Sequence, residues 1–433
     1  MVETTLFLLI FAALAETPPP PASPPYDWNA AAAASSVGYE RLERLCDDVG
    51  SRPAGSAAYA AAVTLTQSWL NADGNRVTLD PVMENVWVRG EQKLEMVAPR
   101  ARNLAVFALG GSIGARGIEA PVVVIRDWVE LGPQVKGKIV LYNHPMVAGA
   151  PAIEHYGDAV QFRGSGASKA AAFGAVATLV RSVTTHSLYT PHTGAMHYDD
   201  DQPKIPSAAI TVEDAEQIAR LSARGITVKL KLTLGAADAK DVASHNVVAD
   251  LPGREKPEEI VLLGAHLDSW DVGQGAQDDG AGVAEVVEAL RLIRARGQAR
   301  RTIRVVLYAN EEHGLSGGKG YAIQRGKENH VAAIEADLGS GAPIAWEMTG
   351  TPEQRAWFER LALPLGMPVH GDGGGADIST LEGVPQIGLL PDDSRYFDIH
   401  HTDADTFDKV DKASLQKATA AIAALAWEIA EAP

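Results

Sequence analysis

His266, Asp268, Asp271, Asp278 and Asp279 all fall within the stretch VLLGAHLDSWDVGQGAQDDGAG, residues 261–282. Carboxylates and an imidazole at that density repel one another unless a cation lies between them. Four further clusters follow. RVVLYANEEHGLSGG carries Glu311 and Glu312, AAIEADLGSG carries Glu335 and Asp337, GDGGGADIST carries Asp372 and Asp377, and RYFDIHHTDADT carries His400, His401, Asp403 and Asp405. Imidazole with carboxylate and no thiolate suits zinc, with manganese or cobalt as alternatives; magnesium and calcium rarely recruit histidine. A catalytic zinc uses three protein ligands and keeps a position open. Two histidines and three carboxylates exceed that need and suit two ions sharing a bridging carboxylate. Asp278, central in the sequence, is the candidate bridge.

Neighbouring positions supply the chemistry. His266 and Asp268 are two apart at the end of a strand, so their side chains can share a face, and Asp268 can accept the imidazole N–H and fix its tautomer. Glu311 and Glu312 are adjacent and must point in different directions. One can ligate while the other takes a proton from the attacking water and delivers it to a leaving amine. Such equipment suits hydrolysis of an amide.

The elements that must position these residues are also legible. Apolar runs at 247–249, 260–265, 302–309, 332–337 and 386–390 read as strands, and 282–296, 353–363 and 413–431 as helices. Their alternation predicts an α/β domain over 237–433, with a mixed, mostly parallel sheet flanked by helices. Ligands of such sheets bind at the carboxyl ends of the strands. Residues 26–111 read as the amino-terminal part of the same domain, with helices at 39–47 and 57–72, a hairpin or meander over 77–97 and a strand at 103–109. Between them, 112–236 shows short β-runs broken by Gly and Pro, with helices near 168–173 and 212–222, and reads as an inserted, mostly-β domain. His186, His192, His197 and Asp199 to Asp201 within it read as polar surface rather than a second metal site.

The 433 residues call for about two or three domains, and 46% hydrophobic residues give ample core. A formal charge of -17 argues against nucleic acid and anionic membranes as partners. A single cysteine, Cys46, rules out an intrachain disulfide. Residues 1–25 read as a signal peptide and Pro-rich spacer: the apolar run Leu6 to Ala15 ends in a small-x-small pattern and is shorter than the roughly 20 residues that span a bilayer. No Lys or Arg precedes it, which departs from the usual signal. An exported protein, periplasmic or secreted, with no membrane contact beyond export, is expected.

HLDSWDVGQGAQDDGAG, NEEHG, EADLG and HHTDADT, in that order, resemble the co-catalytic zinc exopeptidases, which also hold zinc aminopeptidases. The likeness covers almost the whole mature chain. It includes SRPAGS, and in the insert GKIVLYN, LVRSVTTHSLYTPHTG and KIPSAAITVEDAE, which resemble that family's protease-associated domain. The resemblance implies a phosphorylase/hydrolase-like fold and two Zn2+ ions per chain. It places His266 and Asp337 on one ion, Asp278 as the bridge, Glu312 on the other ion, and His401 as the remaining ligand. It makes Glu311 the general base on a zinc-bridging water, Asp268 the carboxylate that orients His266, and His400 a group that helps the oxyanion. It also implies a cis peptide after Asp278.

The expected activity is exopeptidase cleavage of dipeptides or short peptides, as a carboxypeptidase or dipeptidase, with an aminopeptidase on the same centre as the alternative. A catalytically silent binding domain is disfavoured because all five ligand positions and Glu311 are present. Acyl transfer or cyclisation is disfavoured because relatives doing that chemistry generally lack the insert. Ala404 stands where relatives carry glycine, and EADLGSG departs from their pattern after Asp337; neither removes a ligand, and both bear on substrate preference. Three roles are open for the insert: roofing the cleft, restricting substrates to short peptides, or forming a homodimer contact.

Overall fold

The computed structural model of the protein describes residues 26–149 and 151–433. The apolar amino-terminal run read above as an export signal lies outside the described residues.

Strands buried on both faces must be covered on both faces, and this governs the architecture. Lys256–His266 lies between Arg301–Tyr308 and Asn329–Glu335, and Gln386–Pro391 pairs beyond the latter, all in parallel. Antiparallel strands flank this parallel centre: Ala237–Leu251 and then Arg76–Val88 on one side, Pro343–Thr349 on the other. Together they form a seven-stranded sheet. Along Arg301–Tyr308 every residue is buried. Ile303, Val305 and Leu307 pack under the helices Ala281–Arg296 and Lys412–Glu431, while Val306 and Tyr308 meet Tyr321 of the helix Ser316–Arg325 on the opposite face.

Two expectations require correction. The hairpin expected over 77–97 is absent. Arg76–Val88 instead pairs along its length with Ala237–Leu251, and the chain then crosses into a second sheet. The outer half of that ribbon, Ala237 to Ala243, is solvent-exposed over most of its length, so no apolar pattern marks it and only its buried end reads as a strand. The second sheet has eight strands in the order Arg102–Leu104, Gln92–Ala98, Lys229–Leu234, Ala115–Ile125, Ile139–Tyr142, Ala177–Arg181, Ser207–Ile210, Val106–Ala108. It therefore begins at Gln92, and the boundary expected at residue 112 falls inside it. The chain enters and leaves this part side by side, with the Gly235 N–H donating to the Glu91 carbonyl at 2.6 Å. A helix not marked by the composition, Ile153–Gly164, precedes Gly166–Ala171 in this part.

SRPAGS acquires a structural meaning. Arg52 is fully buried and donates from Nε to the Leu267 carbonyl (2.8 Å), from Nη1 to Gly50 (3.0 Å) and Gln274 (2.7 Å), and from Nη2 to Gly275 (2.9 Å). One side chain thus ties down the loop between His266 and Asp278. Arg52→Ala strands four carbonyls, those of Leu267 and Gly275 buried and those of Gly50 and Gln274 partly so, and is expected to lower the unfolding free energy by about 3–5 kcal/mol. The urea midpoint checks this; a shift worth less than about 0.5 kcal/mol, the usual range for surface substitutions, would refute the role.

Candidate metal centre

Parallel strands end at a common edge, and the predicted site residues meet there. His266 is the last residue of its strand, Glu311 and Glu312 follow Tyr308 through a turn in which Asn310 is left-handed (φ 58°), and Asp337 lies just past Glu335. Asp278 comes from the loop that starts the helix Ala281–Arg296. Gly282 lets that helix begin against the strand end, since a Cβ there would overlap the Ala336 carbonyl and the Asp279 carboxylate. His400 and His401 follow the short helix Tyr396–Ile399, and His401 adopts a left-handed backbone (φ 62°). The Asp278–Asp279 peptide is cis, as the resemblance implied.

His266 Nε2 lies 3.2 Å from Asp278 Oδ1 and 3.2 Å from Asp337 Oδ1. His401 Nε2 lies 3.0 Å from Asp278 Oδ2 and 3.4 Å from Glu312 Oε2. Asp278 therefore turns one oxygen to each of two donor groups. Donors about 2.0–2.1 Å from a tetrahedral zinc lie about 3.3 Å from one another, so the spacing suits such ions. Asp278 Oδ2 and Glu312 Oε1 are buried without a hydrogen-bond donor. A carboxylate oxygen in that state is costly unless a cation satisfies it. The residues fit a metal centre.

The orientation of both rings is fixed. His266 Nδ1 donates to the backbone carbonyl of Asp268 (3.0 Å) and His401 Nδ1 to that of Thr193 (3.3 Å), leaving each Nε2 aimed at carboxylates. This corrects the role expected of the Asp268 side chain. Its Oδ1 is 3.7 Å from His266 Nδ1, too far for a hydrogen bond. The carboxylate instead accepts the backbone N–H of Glu311 (3.0 Å) and Glu312 (3.4 Å), and so positions the turn that carries both.

Other carboxylates in the clusters hold backbone, Asp279 doing so although one of its oxygens lies within 4.8 Å of ligand atoms of His266 and Asp337. Asp279 accepts from the N–H groups of His266 and Gly282, both at 3.0 Å. Asp405 accepts from Gln277 (2.7 Å) and Asp278 (3.2 Å), and Glu335 from Asp377 (3.2 Å) and Ile378 (2.9 Å). The sequence displays Asp405 and Glu335 but not these partners. Asp377 is buried and accepts from Gly318, whereas Asp372 is exposed and pairs with Arg355.

The electrostatics show how hard the carboxylates press on one another. Burial pushes Glu311 well above its ordinary value, and Asp337 and Glu312 push it further against the opposing pull of His266. Burial, then Asp278, pushes Glu312 up to about 7. Asp278 is held well below its usual range by His266 and His401 despite its burial. The same carboxylates overcome burial to raise His401 to about 9, with Glu312 foremost. A cation among these donors would take over that compensation and leave the His401 Nε2 free to ligate.

A cavity of about 410 Å³ opens on the centre, lined by Glu311, Asp337, His400 and His401 and, from the second sheet's part of the chain, by Tyr156 and Arg163. His400 stacks on His401 with ring centroids 3.5 Å apart, and its Nε2 is 3.5 Å from Asp278 Oδ2. His192 corrects another expectation. It is buried, and burial, then His401, lowers it to about 3, because the segment His192–Thr193 packs against the His400–His401 loop. His186, by contrast, is exposed and pairs with Asp398 at 3.1 Å, and His197 and Asp199 to Asp201 are exposed.

A parallel-centred α/β sheet with a buried histidine–carboxylate cluster at its strand ends is the build of a metallopeptidase. The sequence pattern of Peptidase family M28 matches residues 246–426. Carboxypeptidase Q of Xenopus laevis is 42% identical over 388 residues, covering 86% of this chain and 81% of that protein. The crystal structure of a Peptidase M28 precursor from Shewanella amazonensis SB2B superposes with a TM-score of 0.89 at 38% identity, covering 94% of this chain and 95% of that one. A zinc aminopeptidase from Bacillus subtilis shares the fold, with a TM-score of 0.68 at 20% identity over 91% and 95% of the two chains. The chain belongs to peptidase family M28, and it is an enzyme of the peptidase class. Among the described residues no helix is long and apolar enough to cross a membrane.

Proposed function

We propose that the protein is an exported di-zinc exopeptidase that hydrolyses dipeptides or short peptides. The observation that carries this reading is Asp278, whose two oxygens face separate donor groups beside a cavity that Glu311 also lines. His266, Asp278 and Asp337 would hold one ion, and Asp278, Glu312 and His401 the other. Zinc so held supplies Lewis acidity and brings the pKa of a bound water toward neutrality. Glu311 takes the proton of the attacking water and passes it to the leaving amine. Asp268 keeps Glu311 and Glu312 in register through their backbone N–H groups, and His400 would donate toward the oxyanion. The apolar segment before residue 16 supports export.

The test compares a free dipeptide with versions blocked at the amino or the carboxyl end, on zinc-loaded protein whose metal content is measured on the same sample. Two zinc ions per chain and hydrolysis of the free dipeptide are expected. Sparing of the carboxyl-blocked peptide alone marks a carboxypeptidase or dipeptidase; sparing of the amino-blocked one alone marks an aminopeptidase. Full metal loading with no hydrolysis refutes the reading.

A further inference from the structure

The two histidines that face Asp278 are oriented from different parts of the chain. His266 Nδ1 donates to a carbonyl two residues away, that of Asp268. His401 Nδ1 donates to the Thr193 carbonyl, 208 residues away and in the second sheet's part of the chain. The Thr193 N–H donates back to the His401 carbonyl at 3.0 Å, so one residue holds both the ring and the left-handed backbone (φ 62°) of His401. A non-glycine residue keeps that conformation where its surroundings impose it. An outer partner of this kind also fixes which imidazole nitrogen is free to ligate.

Thr193 is itself held by a buried arginine. Arg89 follows the strand Arg76–Val88 at the point where the chain crosses into the second sheet, and it is 6% exposed. Its Nη1 donates to the Thr193 hydroxyl at 3.1 Å and to the Ala108 carbonyl, and the hydroxyl donates to that same carbonyl at 2.9 Å. The other edge of the guanidinium grips Asp271, in the loop between His266 and Asp278: Nε is 2.9 Å from Oδ2 and Nη2 is 2.5 Å from Oδ1. A two-point fork on a carboxylate is directional, which a single charge contact is not. Aromatic rings close over it. The Cζ lies 5.0 Å from the Trp87 ring centroid and 5.8 Å from that of Trp270, whose ring is in turn 5.4 Å from that of His401. Arg89 therefore runs from the loop after His266 to the residue that orients His401, and it takes no part in the hydrolytic machinery.

We propose that Arg89 is a positioning residue for one ion of the pair. Through Thr193 it sets the ring of His401, so the ion held by Asp278, Glu312 and His401 binds tightly only while the second sheet's part of the chain is docked. This role rests on the two-zinc reading above. The ion held by His266, Asp278 and Asp337 does not depend on it. The carbonyl that orients His266 lies in its own loop, which Arg52 holds on either side of Asp268, at Leu267 and Ser269.

The test follows stepwise zinc release from the full-length enzyme against a graded chelator, with Arg89→Met, Arg89→Lys and Thr193→Val beside wild type. Two release steps are expected in wild type. In Arg89→Met one step weakens by about 10–100-fold, the usual cost of losing an outer partner of a ligand, and the other stays. Thr193→Val keeps the shape and the carbonyl but offers Arg89 no hydroxyl, and weakens the same step to a smaller degree. Arg89→Lys retains a donor and recovers part of the loss. In a His401→Ala background, release of the remaining ion is the same with and without Arg89→Met. A shift that persists in that background belongs to the other ion and overturns the proposal. Equal weakening of both ions marks a general structural role and overturns it, as does release unchanged from wild type. If Arg89→Met does not fold, Thr193→Val carries the same comparison. Two ions released alike in every variant is a failure of this inference alone, whereas wild type holding fewer than two ions overturns the two-zinc reading and this inference with it.

Discussion

Glu311→Gln binds metal like the parent protein and loses about 10²–10⁴-fold in turnover, the usual contribution of a positioned general base. Glutamine keeps the size and the backbone of the turn, so the N–H groups of residues 311 and 312 still reach the Asp268 carboxylate. It removes the one property required, an oxygen that can take a proton. Glu312, not Glu311, faces His401 across 3.4 Å, so the donor groups stay complete. Measurement of kcat together with zinc content on the same preparation separates the two functions. A rate near that of wild type would take the base role away from Glu311.

Asp278→Asn should fail at the preceding step. Its two oxygens are directed apart, Oδ1 to the His266 side and Oδ2 to the His401 side, and an amide offers one oxygen and one NH2 in their place. The NH2 would point at a donor group and repel an ion there. Changes one shell further out already cost about 10–100-fold in metal affinity, so loss of the shared carboxylate should exceed about 100-fold. Zinc stoichiometry after dialysis against a graded chelator reads this directly. Full retention of two ions with only a slower rate would refute the bridging assignment.

The candidate ligand residues were legible because each lies within a residue or two of an apolar strand end or in a loop between elements, and because histidine and carboxylate recur together in a few short clusters. What escaped was every interaction made by backbone or across the two sheets. The Asp268 side chain looked like the partner of His266, yet the carbonyl of the same residue does that work, and a carbonyl has no sequence signature. Thr193, His192, Arg163 and Tyr156 come from a part of the chain whose β-runs show no concentration of ligands; only folding brings them over the centre. The ribbon Ala237 to Ala243 escaped for the opposite reason. Exposed pairing leaves no hydrophobic alternation to detect.

Because Glu91 and Gly235 are joined by a backbone hydrogen bond, the stretch between them leaves and rejoins the peptidase through one narrow stalk. In evolution such a stretch is a cassette: it can be lost, gained or exchanged at a single point without cutting the sheet that carries the metal residues. With Tyr156 and Arg163 inside the cassette and Glu311 outside it, one wall of the cavity could be replaced while the opposite wall is inherited unchanged.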